Sequence, residues 1–290
     1  MRGNLQHVDK PRAAAYLPPM PELPEVETTV RGLERFLLGQ RVSQVQLNRP
    51  DMRFAFPVGL AQALTGATVT ALGRRAKYGL IHTDRETTLV FHLGMSGTWR
   101  IDPALPDKHD HLALEAGGHR FTLNDPRRFG FVDLVDTPLL DKWPAFAVMG
   151  PEPLGDEFHA MHLHRALAGR KQAIKLMLLD QRVVAGLGNI YVCEALFAAG
   201  IDPRKAAGKV SKPALARLIP AIRAVLTQSI ADGGSTLRDY AQPDGELGYF
   251  ATRFAVYGRE GQACPHGDGG IIERIVQGGR STWFCPKCQK

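Results

Sequence analysis

An α+β multidomain protein is predicted, with an N-terminal β-sandwich behind one leading helix, a helical domain after it, and a small metal-stapled β-hairpin at the end. Three observations predict it. Apolar spacing changes from helical to alternating and back to helical along the chain; a Pro-rich stretch marks the second change; and three of the four cysteines fall in the last 27 residues. A chain of 290 residues, 44% hydrophobic and 22% charged, has enough apolar material for more than one buried core.

Residues 1–20 carry Arg2, Lys10, Arg12 and three prolines without an apolar stretch long enough for a secretory signal. They read as a disordered extension or a mis-assigned start. Met20 before Pro21 has the look of a true start, so Pro21 is expected to become the amino terminus. From Pro24 to Leu38 the residues Val26, Val30, Leu33 and Leu37 recur at helical spacing, with Pro24 near the start and Gly39 past the end. Short alternating runs then follow, at 42–47, 68–72, 89–93 and 111–114, divided by Gly, Pro and Asp turns. A sandwich is the natural way to bury one face of each strand, so 21–135 forms the first domain and 136–150 a linker. After Gly150-Pro151-Glu152-Pro153-Leu154 the helical period returns through 163–179, 190–199 and 213–231, giving a second domain over 151–256. The tail, 257–290, pairs glycines and aromatics with cysteines and reads as the hairpin.

Lys and Arg exceed Asp and Glu by 36 to 29, a net charge of +7 that favours a polyanionic partner. The longest apolar segment, Leu215–Ile230, is broken by Arg217, Pro220 and Arg223, so no membrane span is expected. Cys193 stands alone in a helical pattern, a core thiol; the cysteine usage suits a metal site in a reducing cytoplasm better than a disulfide framework.

Chemistry concentrates at Pro21-Glu22-Leu23-Pro24-Glu25, where a secondary amine and a carboxylate meet a helix start if Pro21 is terminal. An α-amine, with a pKa near 7.7–8.0, leaves roughly a tenth of its population neutral at pH 7, against well under ~0.1% for a lysine. On spacing alone the same residues serve equally well to open and charge a helix. Gly186-Leu187-Gly188-Asn189 precedes a helix and offers either free N–H groups to an anion or a plain cap.

Pro21 to Glu27, Arg74 to Tyr78, His92 to Gly97, Lys108 to His111, Asp125 to Gly130, Gly150 to Leu154, Gly186 to Tyr191, Gly248 to Phe250 and Gly279 to Thr282 together resemble the formamidopyrimidine-DNA glycosylase family. The likeness runs in order over residues 20–290. It implies a bifunctional base-excision repair enzyme acting on damaged double-stranded DNA as a monomer in the cytoplasm. Such an enzyme removes oxidised purines such as 8-oxoguanine and formamidopyrimidines, then acts as an AP lyase by β,δ-elimination. By the resemblance, Pro21 is the nucleophile that forms a Schiff base, Glu22 the acid for the ribose ring oxygen, Lys77 the aid to β-elimination, and Arg280 the grip on the lesion's phosphate. Arg74 and Arg75 are expected at phosphates as well. Met95, Arg127 and Phe129 fill the gap left by the everted base. His109, Arg170, Lys175, Asn189 and Tyr191 are expected at the DNA backbone, the last two in a helix-two-turn-helix element. Residues 235–250 form the loop that closes over the base.

The resemblance further implies one structural zinc held by two Cys-x2-Cys pairs. Cys285-Pro286-Lys287-Cys288 is intact, but Cys264-Pro265-His266-Gly267 has glycine at the second position, followed by a one-residue insertion. The expected ligands are therefore Cys264, His266, Cys285 and Cys288, with Asp268 the lesser choice in place of His266. Two rival readings exist: an endonuclease VIII-like enzyme of the same fold for oxidised pyrimidines, against which Leu23 and the long 235–250 segment argue, and a non-catalytic zinc-hairpin protein that binds DNA without turnover.

Overall fold

The computed structural model describes residues 20–235, 242, 243, 245 and 248–290. The chain opens with helix α1 (Leu23–Leu37). Ten strands follow in chain order: β1 (Val42–Leu47), β2 (Val69–Arg75), β3 (Tyr78–Thr83), β4 (Thr87–His92), β5 (Thr98–Ile101), β6 (Asp110–Ala116), β7 (His119–Asn124), β8 (Phe131–Asp136), β9 (Glu273–Gln277) and β10 (Arg280–Phe284). The helices after α1 are α2 (Leu60–Leu64), α3 (Ala160–Leu167), α4 (Ile174–Leu178), α5 (Asn189–Ala198) and α6 (Lys212–Ala231).

Two four-stranded antiparallel sheets, ordered β1-β6-β7-β5 and β2-β3-β4-β8, form the sandwich. Their inner faces supply Leu89, Phe91, Trp99, Leu112, Phe121 and Leu123 to one core, where Phe91 and Trp99 meet edge to face at 5.5 Å. The segment expected as a linker is packed rather than free: Trp143 and Phe146 lie with Tyr78 and Val90 on the outer side of the second sheet, and the Trp143 indole donates to Asp133 at 2.9 Å.

Helix α1 decides where the chemistry sits. Val26, Val30, Leu33 and Leu37 belong to the sandwich core, whereas Leu23, at its first turn, belongs to the core of the helical domain. The helix is thus pinned at both ends, and Pro21 and Glu22 are held at the seam. The continuous helical period over 163–179 resolves into α3 and α4, separated where Gly169 takes a left-handed conformation at φ +70°.

By length and composition α6, with mean hydropathy 1.2, is apolar enough to cross a membrane, contrary to the sequence reading. Its Leu215, Leu218, Ile222 and Leu226 are instead buried in the helical core. The hairpin β9–β10 adds Trp283 to that same core, and Cys285 joins it just past the end of β10.

Candidate active site and metal knuckle

Glu22 is 3% exposed. One carboxylate oxygen, Oε1, accepts the Ile190 amide of α5 at 2.9 Å; the other, Oε2, is buried with no partner among the described residues. Its own amide donates to Glu25 Oε2 at 2.9 Å. Gly188, the N-cap of α5, is required here, because a Cβ on it would stand 2.2 Å from the Glu22 carboxyl carbon. The α5 amino end is therefore plugged by the protein's own acid, and the expectation of free N–H groups open to a DNA phosphate is corrected. Burial raises the Glu22 pKa from 4.5 to about 7, against the opposing pull of the Lys77 charge. A carboxyl group in this state holds a proton near neutrality.

Lys77 is the second residue of the tight turn between β2 and β3, where Ala76 sits at φ +54°. Glu152 clamps the turn. Its carboxylate accepts the Ala76 amide at 2.6 Å, Arg74 at 2.8 Å and Arg75 at 3.0 Å. Arg74 also donates to Glu27 at 2.9 Å and Arg75 to the Gly150 carbonyl at 2.7 Å. Both arginines are thus spent inside the protein and are not the phosphate contacts expected of them. Burial pushes the Lys77 pKa down; Glu22 draws it up and Arg280 adds to the depression, so Lys77 lies within electrostatic reach of both.

Arg280 is exposed at the start of β10. The preceding Gly278-Gly279 turn has φ +55° and +74°, the left-handed pair that a two-residue hairpin turn demands. Two residues clip this hairpin to the helical domain. Lys175 donates to the Ser281 carbonyl at 2.9 Å and to Thr282 Oγ1 at 2.7 Å, and Asn189 donates to the Ser281 carbonyl at 3.0 Å.

Lys175 is 0% exposed, so its expected place at the DNA backbone is corrected to a buried cationic clip that presents Arg280. Asn189 is partly exposed and donates from its side-chain amide to the same Ser281 carbonyl. Tyr191 is also corrected: fully buried, its hydroxyl donates to Glu25 and lies 2.7 Å from Ser229 Oγ. Glu25 in turn accepts the Ser235 amide at 2.8 Å. Ser235 begins the loop expected to cover the base, most of which lies outside the described residues.

Met95 is partly exposed on the Gly94–Ser96 turn, and Phe129 is 43% exposed with the Arg127 guanidinium 4.9 Å above its ring. These three line a cavity of about 580 Å³ together with Met20, Arg53 and His92. Buried Asp125 ties the two loops, accepting Ser96 Oγ at 2.5 Å and the Gly130 amide at 2.8 Å. His109 is partly exposed and Arg170 exposed, both on the surface.

Sequence reasoning missed Glu25, Asp125, Glu152 and His92 as individual site residues. Each lies inside a quoted motif, but only contacts distant in sequence reveal its task. Burial pushes the His92 pKa to about 4, so its Nδ1 is a neutral acceptor for the Gly94 amide at 2.9 Å.

In the tail, Cys264, Cys285, Cys288 and Asp268 bring four donor atoms within 4.8 Å of one another, a set that suits one structural zinc. His266 does not join it. Its ring stacks on Phe197 of α5, centroids 4.5 Å apart and 18° from parallel, and the assignment of His266 as a ligand is corrected.

The formamidopyrimidine-DNA glycosylase N-terminal domain matches residues 20–132, the H2TH domain of the same enzymes residues 149–241, and the zinc finger found in FPG and IleRS residues 269–290. The chain is 73% identical over 271 residues to the formamidopyrimidine-DNA glycosylase of Erythrobacter litoralis, covering 93% of this chain and all of the relative. It is 67% identical to that of Novosphingobium aromaticivorans with the same coverage. Among solved structures, the Lactococcus lactis Fpg in complex with DNA containing an abasic site is similar at TM-score 0.86 and 34% identity, over 93% of this chain and 100% of that one. The MutM (FPG) protein of Thermus thermophilus is similar at TM-score 0.83 and 41% identity, over 93% and 98%. With its sandwich, helical domain and zinc hairpin meeting at one buried acid, this chain belongs to the formamidopyrimidine-DNA glycosylase family of DNA repair enzymes.

Proposed function

We propose that the protein removes oxidised purines from double-stranded DNA and then cleaves the strand, with Pro21 as nucleophile once residues 1–20 are gone. The family domain match begins at residue 20, and 93% of the chain accounts for the whole length of its relatives. The Pro21 nitrogen attacks C1′ of the damaged nucleotide and the base leaves with the electrons of its glycosidic bond. Glu22 donates its proton to the ribose ring oxygen. The resulting iminium draws electrons for loss of the 3′ and then the 5′ phosphate, with Lys77 moving protons and Arg280 gripping phosphate. Met95, Arg127 and Phe129 occupy the space of the everted nucleotide, and His109 and Arg170 hold the backbone. Lys175 and Asn189 serve DNA through the hairpin they clip, and zinc keeps that hairpin folded. The enzyme works as a monomer in the cytoplasm.

The observation that carries this reading is Glu22: a buried acid with a pKa near neutrality, one oxygen unpartnered, next to the proline and within the field of Lys77. Such a group can donate a proton at physiological pH, as a surface carboxylate near 4.5 cannot. The test is duplex DNA with a single 8-oxoguanine, borohydride reduction and mass spectrometry of the cross-linked peptide. A cross-link at a free Pro21 is expected. In the 290-residue form the Pro21 nitrogen is an amide, so that form binds DNA and leaves it uncut. Cleavage by the full-length chain with trapping at Lys77 would show that another amine is the nucleophile.

A further inference from the structure

We propose that the zinc of the terminal hairpin is held by three thiolates and one carboxylate, Asp268 supplying the fourth donor through Oδ2 alone. The inference rests on the zinc-hairpin fold and is independent of the lesion chemistry. Cys264 Sγ and Cys288 Sγ stand 3.9 Å apart, and Cys285 Sγ and Asp268 Oδ2 also 3.9 Å. Zn–S bonds of about 2.3 Å and Zn–O bonds of about 2.0–2.2 Å put tetrahedral edges at roughly 3.5–3.8 Å, so both edges need only a few tenths of an ångström to close on an ion.

Asp268 is oriented for this. Its Oδ1 accepts the Gly270 amide at 2.8 Å, which fixes the carboxylate and leaves Oδ2 for the thiolates. A backbone donor on the free atom of a ligand is the usual way a metal ligand is held in place.

The surrounding sequence accommodates the substitution. Three residues instead of two separate the first pair of donors, and Gly267 and Gly269 take left-handed φ of +68° and +74° to wrap the longer loop. A Cβ on Gly270 would stand 2.6 Å from Cys285 Sγ and 2.9 Å from Asp268 Oδ1, so glycine lets the loop close on the site. His266 is engaged by Phe197. The zinc-finger match begins at 269, past both unusual positions. A carboxylate keeps the charge of the thiolate it replaces but is a harder donor, so the centre holds zinc less tightly than four thiolates do.

The test strips zinc from the full chain under reducing conditions and titrates Co²⁺, reading absorption and affinity. One tetrahedral Co²⁺ per chain is expected. Asp268→Cys raises the sulfur-to-cobalt charge-transfer intensity by about one third, four thiolates against three, and tightens Zn²⁺ binding. Asp268→Ala and Asp268→Asn weaken metal binding at least ~10-fold. His266→Ala leaves spectrum and affinity unchanged. Weakened binding in His266→Ala with wild-type binding in Asp268→Asn overturns the assignment. So does an unchanged charge-transfer intensity in Asp268→Cys, a readout that stands even if Asp268→Ala fails to fold. DNA cleavage is not read, so these outcomes leave the glycosylase reading untouched, and a failed cross-link at Pro21 leaves the metal assignment untouched.

Discussion

Glu22 and Arg280 both act electrostatically on Lys77 and are held in place by opposite means. Glu22 is fixed by burial: α1 is pinned in two cores, α5 caps the carboxylate with its first turn, and Gly188 makes room for it. Arg280 rides on an exposed two-stranded hairpin, secured by Lys175 and Asn189 beneath it and by the metal knuckle behind it. The acid has to be dry for its pKa to rise. The arginine, proposed to meet a phosphate, stays exposed, and its support comes from polar clips and a metal in place of burial around its own head group. In the proposed mechanism the rigid corner supplies the proton and the stapled arm the grip.

The largest effect is expected from Glu22→Gln, which keeps the shape of the buried side chain and removes its proton. Base excision should fall by about 10²–10⁴-fold. The same change should also stabilise the fold above neutrality. A carboxyl pKa raised on folding contributes stability that is full below the unfolded value of 4.5 and lost as pH rises through about 7. The span is worth ~3 kcal/mol, so Glu22→Gln should melt higher than wild type at pH 8 and lose that advantage by pH 4.5. Equal melting of the two proteins at pH 8 would show that burial of Glu22 costs nothing. For the arm, removing zinc with a chelator should cut strand cleavage by ~10- to ~100-fold through loss of the Arg280 contact, since a hydrogen bond to a charged group is worth about 1.5–3 kcal/mol. Thermal unfolding of the sandwich should not move. Normal cleavage by the stripped protein would mean that packing and the Lys175 clip suffice.

Periodicity made the sandwich and the helices legible: β1 lies where Val42 to Leu47 alternate, and α5 where the apolar run from Ile190 begins. It did not show the break between α3 and α4, because apolar positions keep helical phase across a short loop. The Pro21-Glu22 start was legible as chemistry because two unusual groups adjoin in sequence. What remained hidden were internal partners. Arg74, Arg75 and Lys175 look like phosphate ligands in a basic chain, and only distant residues, Glu152 and Ser281, reveal that their charges are already used. His266 looked the better zinc ligand because imidazole binds zinc well. The His266 ring stacks on Phe197, whereas the glycine-containing loop two residues longer brings the Asp268 carboxylate round to the thiols.

Glu152 gives the smallest effect and the sharpest view of how the rigid corner reaches beyond Glu22. It touches no group proposed to meet DNA, yet it receives the Ala76 amide and both arginines next to Lys77. Glu152→Gln keeps one acceptor oxygen and removes the charge, so the left-handed turn at Ala76 loses its strongest support while the pocket around Glu22 keeps its shape. The expected cost is ~1–3 kcal/mol of stability, as for a charge-assisted bond weakened in a partly buried site. Strand cleavage should drop by about tenfold with base excision within about twofold, because Lys77 is proposed to serve elimination and not base loss. Single-turnover assays that quench base release and strand nicking separately read both steps. Equal losses in the two would mean that Glu152 holds the whole seam between sandwich and helices, and that Lys77 has no separate support of its own.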